Sequence, residues 1–430
     1  MARMSDPSGP ASLPPGPILI VGNGYPPHTL GGYELLCRDH VAWLRARGHP
    51  VTVLTSTYGV QPKRTHIETG AHGEHVVRAL DFHWRDFKIE RPTGFELIAG
   101  ERRQRLALEH VVTQDRPRAV ELWHMAALSK SLIAVLARYR LPTIAVVGEN
   151  WPTWDVQTDN WLRLMRHGPR RDQLLRPGVR SFVAHTIAPA EMNGAFERVR
   201  PAYCSEFLKK DVESRFAPWR GRGVTVHNGI DLATMSRERD PSEPLGRPLR
   251  LLYCGRVERR KGVATAVEAM SLLKKQGIDA TLDIVGWRDE AFAAELRALA
   301  ASTGVAGAVQ WLEPRARESL PDLYRAHDVL VFPAIWEEPF GLVPLEAMAT
   351  GYIVVGSGTG GSAEVMIDGK TALLHERENA GSLADRIAEL TRDPGLVATL
   401  RTGARAMADE HDIETYHRAL ASLLEEAARA

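Results

Sequence analysis

Glu338-Pro339-Phe340-Gly341-Leu342-Val343-Pro344-Leu345-Glu346-Ala347-Met348-Ala349-Thr350-Gly351 is the stretch that orders the rest of the chain. An apolar run from Asp328 to Ala334 leads into it and reads as a buried strand, closed by Trp336-Glu337-Glu338-Pro339. Leu342, Leu345 and Ala349 then recur at helical spacing, Pro344 suits a first turn, and Gly351 suits a stop past the last turn. Glu338 is therefore expected on a loop at the carboxyl end of a strand, and Glu346 on the helix that follows. Backbone N–H groups at such a helix start favour an anion. Two carboxylates that accept hydroxyl hydrogen bonds, flanking a phosphate-sized hole, suit a nucleotide sugar. Two glutamates at this spacing with nothing around them are more often merely solvated.

The surrounding residues change that balance. Glu-Pro-Phe-Gly followed by Leu-Glu-Ala-Met-Ala-Thr-Gly resembles the donor-site signature of the retaining glycosyltransferases of family GT4, which have the GT-B fold. The resemblance implies that Glu338 lies by the transferred sugar and that Glu346 holds the ribose hydroxyls. It implies also that Phe340, Gly341 and Leu342 line the donor sugar and its diphosphate.

The chain has 430 residues, enough for two larger α/β domains. Its formal net charge of +1, with 25% charged residues, points to no nucleic-acid partner. No apolar run is long enough for a transmembrane helix. Met1 to Gly16 is rich in Pro, Ser and Gly, lacks a signal-peptide core and reads as a disordered tail on a cytoplasmic protein. Cys37, Cys204 and Cys254 are odd in number, scattered and flanked by apolar residues, so reduced thiols are expected.

Pro17 to Gly22 reads as a first buried strand, with a loop ending in Gly31-Gly32, a helix through Leu44, and a second strand over Val51 to Thr55. Gly22-Asn23-Gly24 imitates the start of a dinucleotide fingerprint, but Pro26 and Pro27 block the helix that would have to begin there. Gly31-Gly32 is the better anion cradle and matches a Gly-Gly loop of the resembled family; alone, it is equally a tight turn. Residues 59–118 are polar and irregular, with a helix expected over Arg102 to Val112. Ala119 to Trp123 is a strand with His124 at its carboxyl end, where α/β folds bind ligands. A lone His is more often structural, but the family carries one here beside the transferred sugar.

Thr143 to Gly148 is a further strand, ending in Glu149-Asn150-Trp151 where related sequences often show His-Asp-x-Trp. That departure weakens any acceptor-side role for Glu149. Trp151, Trp154 and Trp161 suit either sugar stacking or packing. The arginine-rich stretch Arg163 to Arg180 is broken by Pro169 and Pro177, which favours a solvated loop over a membrane-surface helix. Strands are expected over Ser181 to Ile187 and Pro201 to Cys204, with Ser205 as a helix cap.

Val224 to Asp231 enters an Asn-Gly turn, and the polar stretch Arg237 to Pro248 reads as a linker. The second half restarts with a strand over Arg250 to Gly255. Arg256 to Gly262 is expected to open a helix through Leu273. A cluster of cations at a helix start is usually a solvated face, but the resemblance assigns Arg256 and Lys261 to the donor diphosphate. Strand and helix then alternate to Gly360-Gly361, a second family loop near the donor, and three helices follow, the last over Ile413 to Ala428.

The resemblance thus implies two Rossmann-like α/β/α domains facing each other across a cleft. Residues 17–228 would bind the acceptor, with helix 411–430 packing back on them, and residues 229–410 would bind the nucleotide sugar. The implied reaction is retaining transfer of a sugar from a nucleoside diphosphate sugar, UDP favoured over GDP, to an acceptor hydroxyl. The catalytic set is Glu338, His124, Arg256 and Lys261. The donor set is Gly31, Gly32, Arg256, Lys261, Phe340, Gly341, Leu342 and Glu346. No metal and no cofactor beyond the donor is expected, since Asp-x-Asp is absent from the sequence. The acceptor is a small molecule, a glycan or a lipid-linked group. The same fold also admits an epimerase, a sucrose- or trehalose-type synthase, or a silent sugar-nucleotide binder.

Overall fold

The computed structural model describes residues 13, 16–29, 31–61, 64–85, 88–92, 94–154, 159–160, 194–235 and 239–429. Trp161, the arginine-rich stretch 163–180 and the strand expected over 181–187 lie outside the described residues, as does most of 1–16. The described chain divides into two compact units. One runs to Val226 and takes up the chain again from His417; the other is His227–Tyr416. The sequence placed these divisions at 228/229 and 410/411.

The first unit is an eight-stranded sheet of β1 (Ile18–Val21), β2 (Val51–Ser56), β3 (His66–Thr69), β4 (His75–Leu80), β7 (Ala119–Leu122), β8 (Thr143–Val147), β9 (Val199–Tyr203) and β10 (Val224–Thr225). Strands β5 (Trp84–Arg85) and β6 (Lys88–Ile89) form a separate hairpin. The sheet order is β10-β9-β8-β7-β1-β2-β4-β3, parallel throughout except for the β3–β4 pair. Helices α1 (Gly32–Ala46), α2 (Gly94–Asp115), α3 (Ser131–Arg138) and α4 (Glu206–Arg215) connect the strands. All four residues of β1 are buried, as a parallel strand covered on both faces requires. Burying each such aliphatic side chain contributes ~1.5–3 kcal/mol.

The second unit begins with α5 (Leu232–Met235), β11 (Leu249–Cys254), α6 (Val263–Lys275), β12 (Ala280–Val285), α7 (Glu290–Ser302) and β13 (Val309–Leu312). It continues with α8 (Leu320–Arg325), β14 (Val329–Phe332), α9 (Leu342–Ala349), β15 (Ile353–Gly356) and β16 (Leu373–Leu374). Helices α10 (Ala380–Arg392), α11 (Pro394–Asp409) and α12 (Ile413–Arg429) close the chain. The strand order is β13-β12-β11-β14-β15-β16, all parallel. Its core is the apolar seam of β11, β12, β14 and β15 against α6, α10 and α11. Helix α12 starts in this unit, and from His417 its residues belong to the first, where Arg200 pairs with Glu426 at 2.7 Å.

Each sheet has a point where the strand order reverses, between β1 and β7 in the first unit and between β11 and β14 in the second. Open α/β sheets bind ligands outside the carboxyl ends of the strands at that point. Among the described residues, no helix is long and apolar enough to cross a membrane.

Candidate functional site

In the second unit the chain leaves β11 through Gly255 and Arg256, and α6 begins only at Val263. This corrects the expectation that Arg256 to Gly262 opens the helix. Gly262 adopts φ +70°, which ends the tight turn Arg259–Lys261 and restarts the chain as α6. The cations therefore lie in a loop before the helix. A Cβ on Gly262 would stand 1.8 Å from the Pro333 carbonyl oxygen, so that loop is pressed against the segment leaving β14. The Ile335 N–H donates to the Arg260 carbonyl at 3.0 Å and ties the two together.

This contact brings Lys261 to Glu338. Lys261 Nζ lies 2.6 Å from Glu338 Oε1, and the side chains are 15% and 8% exposed. Trp336 Nε1–H donates to the same oxygen at 2.5 Å, and the Arg260 guanidinium stacks 4.0 Å over the Trp336 ring. The backbone of Glu338 is held as well, its carbonyl accepting Gly361 N–H at 2.7 Å. Gly360 makes that approach possible, because its Cβ would meet the Glu338 oxygen at 2.4 Å. The Arg256 side chain is not part of this pair and lies 3.5 Å from Glu258.

Past Glu338, Phe340 is buried against the rings of His227 and His411, at centroid distances of 5.6 and 5.8 Å. Gly341, at φ +129°, turns the chain into α9 at Leu342, and Gly351, at φ +77°, follows its end as expected. Glu346 projects from α9 into a buried position, and Tyr324 O–H donates to its Oε2 at 3.4 Å. Burial raises the Glu346 carboxyl above the usual range, against the opposing charge of Arg317.

In the first unit, His124 follows β7 at the reversal point. Its Nδ1 lies 3.6 Å from Glu34 of α1, and its Nε2 lies 3.5 Å from Glu149, just past β8. The Asn23 amide, past β1, is 2.8 Å from Nδ1. Burial disfavours the charged ring, but the two carboxylates outweigh it and hold the His124 pKa at about 9. Gly31 N–H donates at 2.8 Å to Glu34, which closes the α1 start with the chain's own carboxylate. That occupant was not foreseen in reading Gly31-Gly32 as an anion cradle. Trp151 is fully buried edge-on to Trp219, ring centroids 5.6 Å apart, and so serves packing. All three cysteines are free thiols.

Residues 235–407 match the family model described as glycosyl transferases group 1. The matched residues lie within the second unit, and over them the chain is similar to that family. A D-inositol 3-phosphate glycosyltransferase of Pseudarthrobacter chlorophenolicus is 33% identical over 45% of this chain and 49% of its own. A second, from an Arthrobacter species, is matched over 41% of its length, so the chain spans about half or less of these first relatives. A glycogen synthase of Mycobacterium tuberculosis is 27% identical over 90% of this chain and 89% of its own. Sucrose-phosphate synthase from Thermosynechococcus elongatus shares the fold at a TM-score of 0.70, with 20% identity over 96% of this chain and 98% of its own. Anabaena HepE in complex with UDP-glucose does so at 0.64, with 17% identity over 96% and 100%. The fold is GT-B, two parallel-sheet α/β domains.

Apart from Arg256, the sequence-predicted residues gather in two clusters. Lys261, Glu338, Phe340, Gly341 and Leu342 surround the β14 loop, with Glu346 one helix turn further in. His124, Gly31 and Gly32 gather around Glu34. Sequence reasoning missed Asn23 and Glu34 and discounted Glu149. The Gly31-x-x-Glu34 spacing is a helix-start pattern that could have drawn attention to Glu34.

Proposed function

We propose that the protein is a retaining glycosyltransferase that moves a sugar from a nucleoside diphosphate sugar to an acceptor hydroxyl without a metal ion. The observation that carries the reading is the Lys261–Glu338 pair at 2.6 Å, set at the reversal point of the second sheet. A half-buried lysine joined to one carboxylate, beside the turn at Gly341 into α9, offers a cation for a diphosphate and an acceptor for sugar hydroxyls. Glu346, enclosed one turn into α9, takes the ribose. Arg256 adds a second cation for the diphosphate, and His124 is assigned to the transferred sugar. UDP is favoured over GDP, a choice supported by the HepE complex with UDP-glucose.

No enzymic nucleophile is needed if the acceptor attacks from the face the leaving diphosphate vacates, with that phosphate taking the acceptor's proton. The chain's share is then positioning and stabilisation of the charge gained by the diphosphate. The reaction is assigned to the cytoplasm. Among the described residues, no group of three or more His, Cys, Asp or Glu is placed to hold a metal. Incubation with UDP-glucose, UDP-N-acetylglucosamine and GDP-mannose tests the reading by release of free nucleotide, through slow hydrolysis or transfer. Binding without release marks a silent binder, and an isomerised donor marks an epimerase.

A further inference from the structure

We propose that Glu149, together with Glu34, positions His124 as a doubly donating imidazolium for sugar transfer. The proposal rests on the glycosyltransferase reading and adds Glu149 and Glu34 to its machinery as positioning residues. Three segments converge on the ring. Glu34 approaches Nδ1 from α1 at 3.6 Å, Glu149 approaches Nε2 from the loop after β8 at 3.5 Å, and Asn23 approaches Nδ1 from the loop after β1. The Tyr33 ring meets the imidazole edge-on, at a centroid distance of 5.2 Å, and its hydroxyl accepts Gly148 N–H at 3.2 Å. Tyr33 therefore fixes the backbone that carries Glu149. Glu34 is fixed in turn by Gly31 N–H at 2.8 Å.

Two carboxylates on opposite nitrogens satisfy a ring only when both nitrogens carry protons. The Asn23 amide now faces Nδ1 through its nitrogen, the partner of a neutral ring. In that orientation Asn23 Oδ1 and His124 Nε2 are both buried without a hydrogen-bond partner. Turning the amide over gives Oδ1 the Nδ1 proton, at the cost of the bond that Asn23 Nδ2 donates to the Ala126 carbonyl oxygen at 3.3 Å. Two full charges outweigh one amide dipole, and His124 is raised to about 9 for that reason, although burial works against it.

A charged ring matters to the chemistry. Positive charge gathers on the sugar as the bond to the leaving phosphate lengthens, and a lone imidazolium beside it would oppose that. With Glu34 and Glu149 the group of three carries one net negative charge, so the charged ring can lie beside the sugar without that electrostatic cost.

The test is NMR of the full chain with 13C-labelled histidine, the His124 signal being identified by its loss in His124→Gln. The wild-type signal is expected to titrate well above the ordinary histidine range. In Glu149→Gln the midpoint should fall by about one unit or more, since an opposite charge at this range shifts a pKa by ~1–3 units. Glu149→Asp should restore part of it. A wild-type midpoint in the ordinary range, or a Glu149→Gln midpoint equal to wild type, overturns the proposal. A second arm follows nucleotide release from UDP-glucose against pH. The alkaline limb should move to lower pH in Glu149→Gln with KM little changed; an unmoved limb overturns the role in transfer. Failure of wild-type protein to turn over any nucleotide sugar would instead sink the glycosyltransferase reading, with the NMR result intact.

Discussion

Gly262 lies so close to the Pro333 carbonyl oxygen that a Cβ there would stand 1.8 Å from it, and its φ is +70°. One residue earlier, Lys261 reaches Glu338. The glycine is thus the hinge pin that sets a cation beside the β14 loop. Gly262→Ala should destabilise the fold by ~2 kcal/mol or more, since a strained backbone alone costs ~1–3 kcal/mol. It should also weaken UDP binding by moving Lys261. Urea unfolding and calorimetric titration with UDP check both parts. Parent stability together with parent affinity would rule out this account of the loop.

Glu338 and Glu346 should separate in their effects. Glu346→Ala is expected to weaken donor binding about tenfold or more, a lost hydrogen bond to a charged group being worth ~1.5–3 kcal/mol in ground and transition states alike. Glu338→Ala should lower turnover more than affinity, because its contact tightens as the sugar flattens. It also frees Lys261 for the diphosphate, so UDP affinity should hold or rise. Steady-state rates of nucleotide release alongside UDP affinities give the answer. Equal turnover losses with donor affinity untouched in both would contradict the division.

His124→Ala should bind UDP about as well as wild type yet transfer poorly. His124 is assigned to the sugar and not to the nucleotide. Calorimetry with plain UDP and with intact UDP-glucose distinguishes these, and a loss of affinity for plain UDP would show that His124 is misassigned.

The clearest parts of the chain in the sequence were those where one signal dominates. β14, α9 and Gly351 announce themselves by an apolar run, helical spacing and a terminal glycine, and the structure has them where expected. The β3–β4 hairpin did not, because β3 is largely exposed and carries no apolar alternation. Gly262 reads in the sequence as part of an expected helix start, but its positive φ is a tertiary demand made by Pro333, which lies far along the chain. Glu149 was discounted because the sequence around it departs from the usual pattern. Its place beside His124 depends on β7 and β8 being neighbours, which one strand read at a time does not reveal.

Buried histidines should set the acid limit of stability. His417 of α12 lies 3.0 Å from His40, which in turn lies 3.1 Å from Glu121. Burial first, then His40 and Arg47, lower the His417 pKa from 6.5 to about 2. Folded His417 stays neutral where the unfolded chain takes up a proton. Its contribution is therefore full above pH 6.5 and is lost as pH falls from there towards about 2. His417→Gln keeps a hydrogen-bonding side chain but cannot titrate, so its melting temperature should fall less steeply with acid than that of wild type. Parallel acid limbs in the two proteins would count against the assignment.

Catalysis should survive removal of divalent metal. The leaving diphosphate gains negative charge as the glycosidic bond breaks, and some group must stabilise it. Here Lys261, Arg256 and the backbone turn at Gly341 are proposed to do so. Lys261 is already enclosed beside Glu338 and needs only to exchange one oxygen anion for another. Arg256 is the more exposed of the two and pairs loosely with Glu258. Each charged hydrogen bond is worth ~1.5–3 kcal/mol, so Lys261→Ala and Arg256→Ala should each lose about ten- to a hundredfold in rate. The Lys261 loss should be the larger, because Lys261→Ala also leaves the Glu338 carboxylate enclosed without its cation. Nucleotide release from UDP-glucose after exhaustive EDTA treatment, beside these two variants, is the measurement. Activity abolished by EDTA and restored by magnesium or manganese would overturn the assignment. So would either cation variant with a wild-type rate.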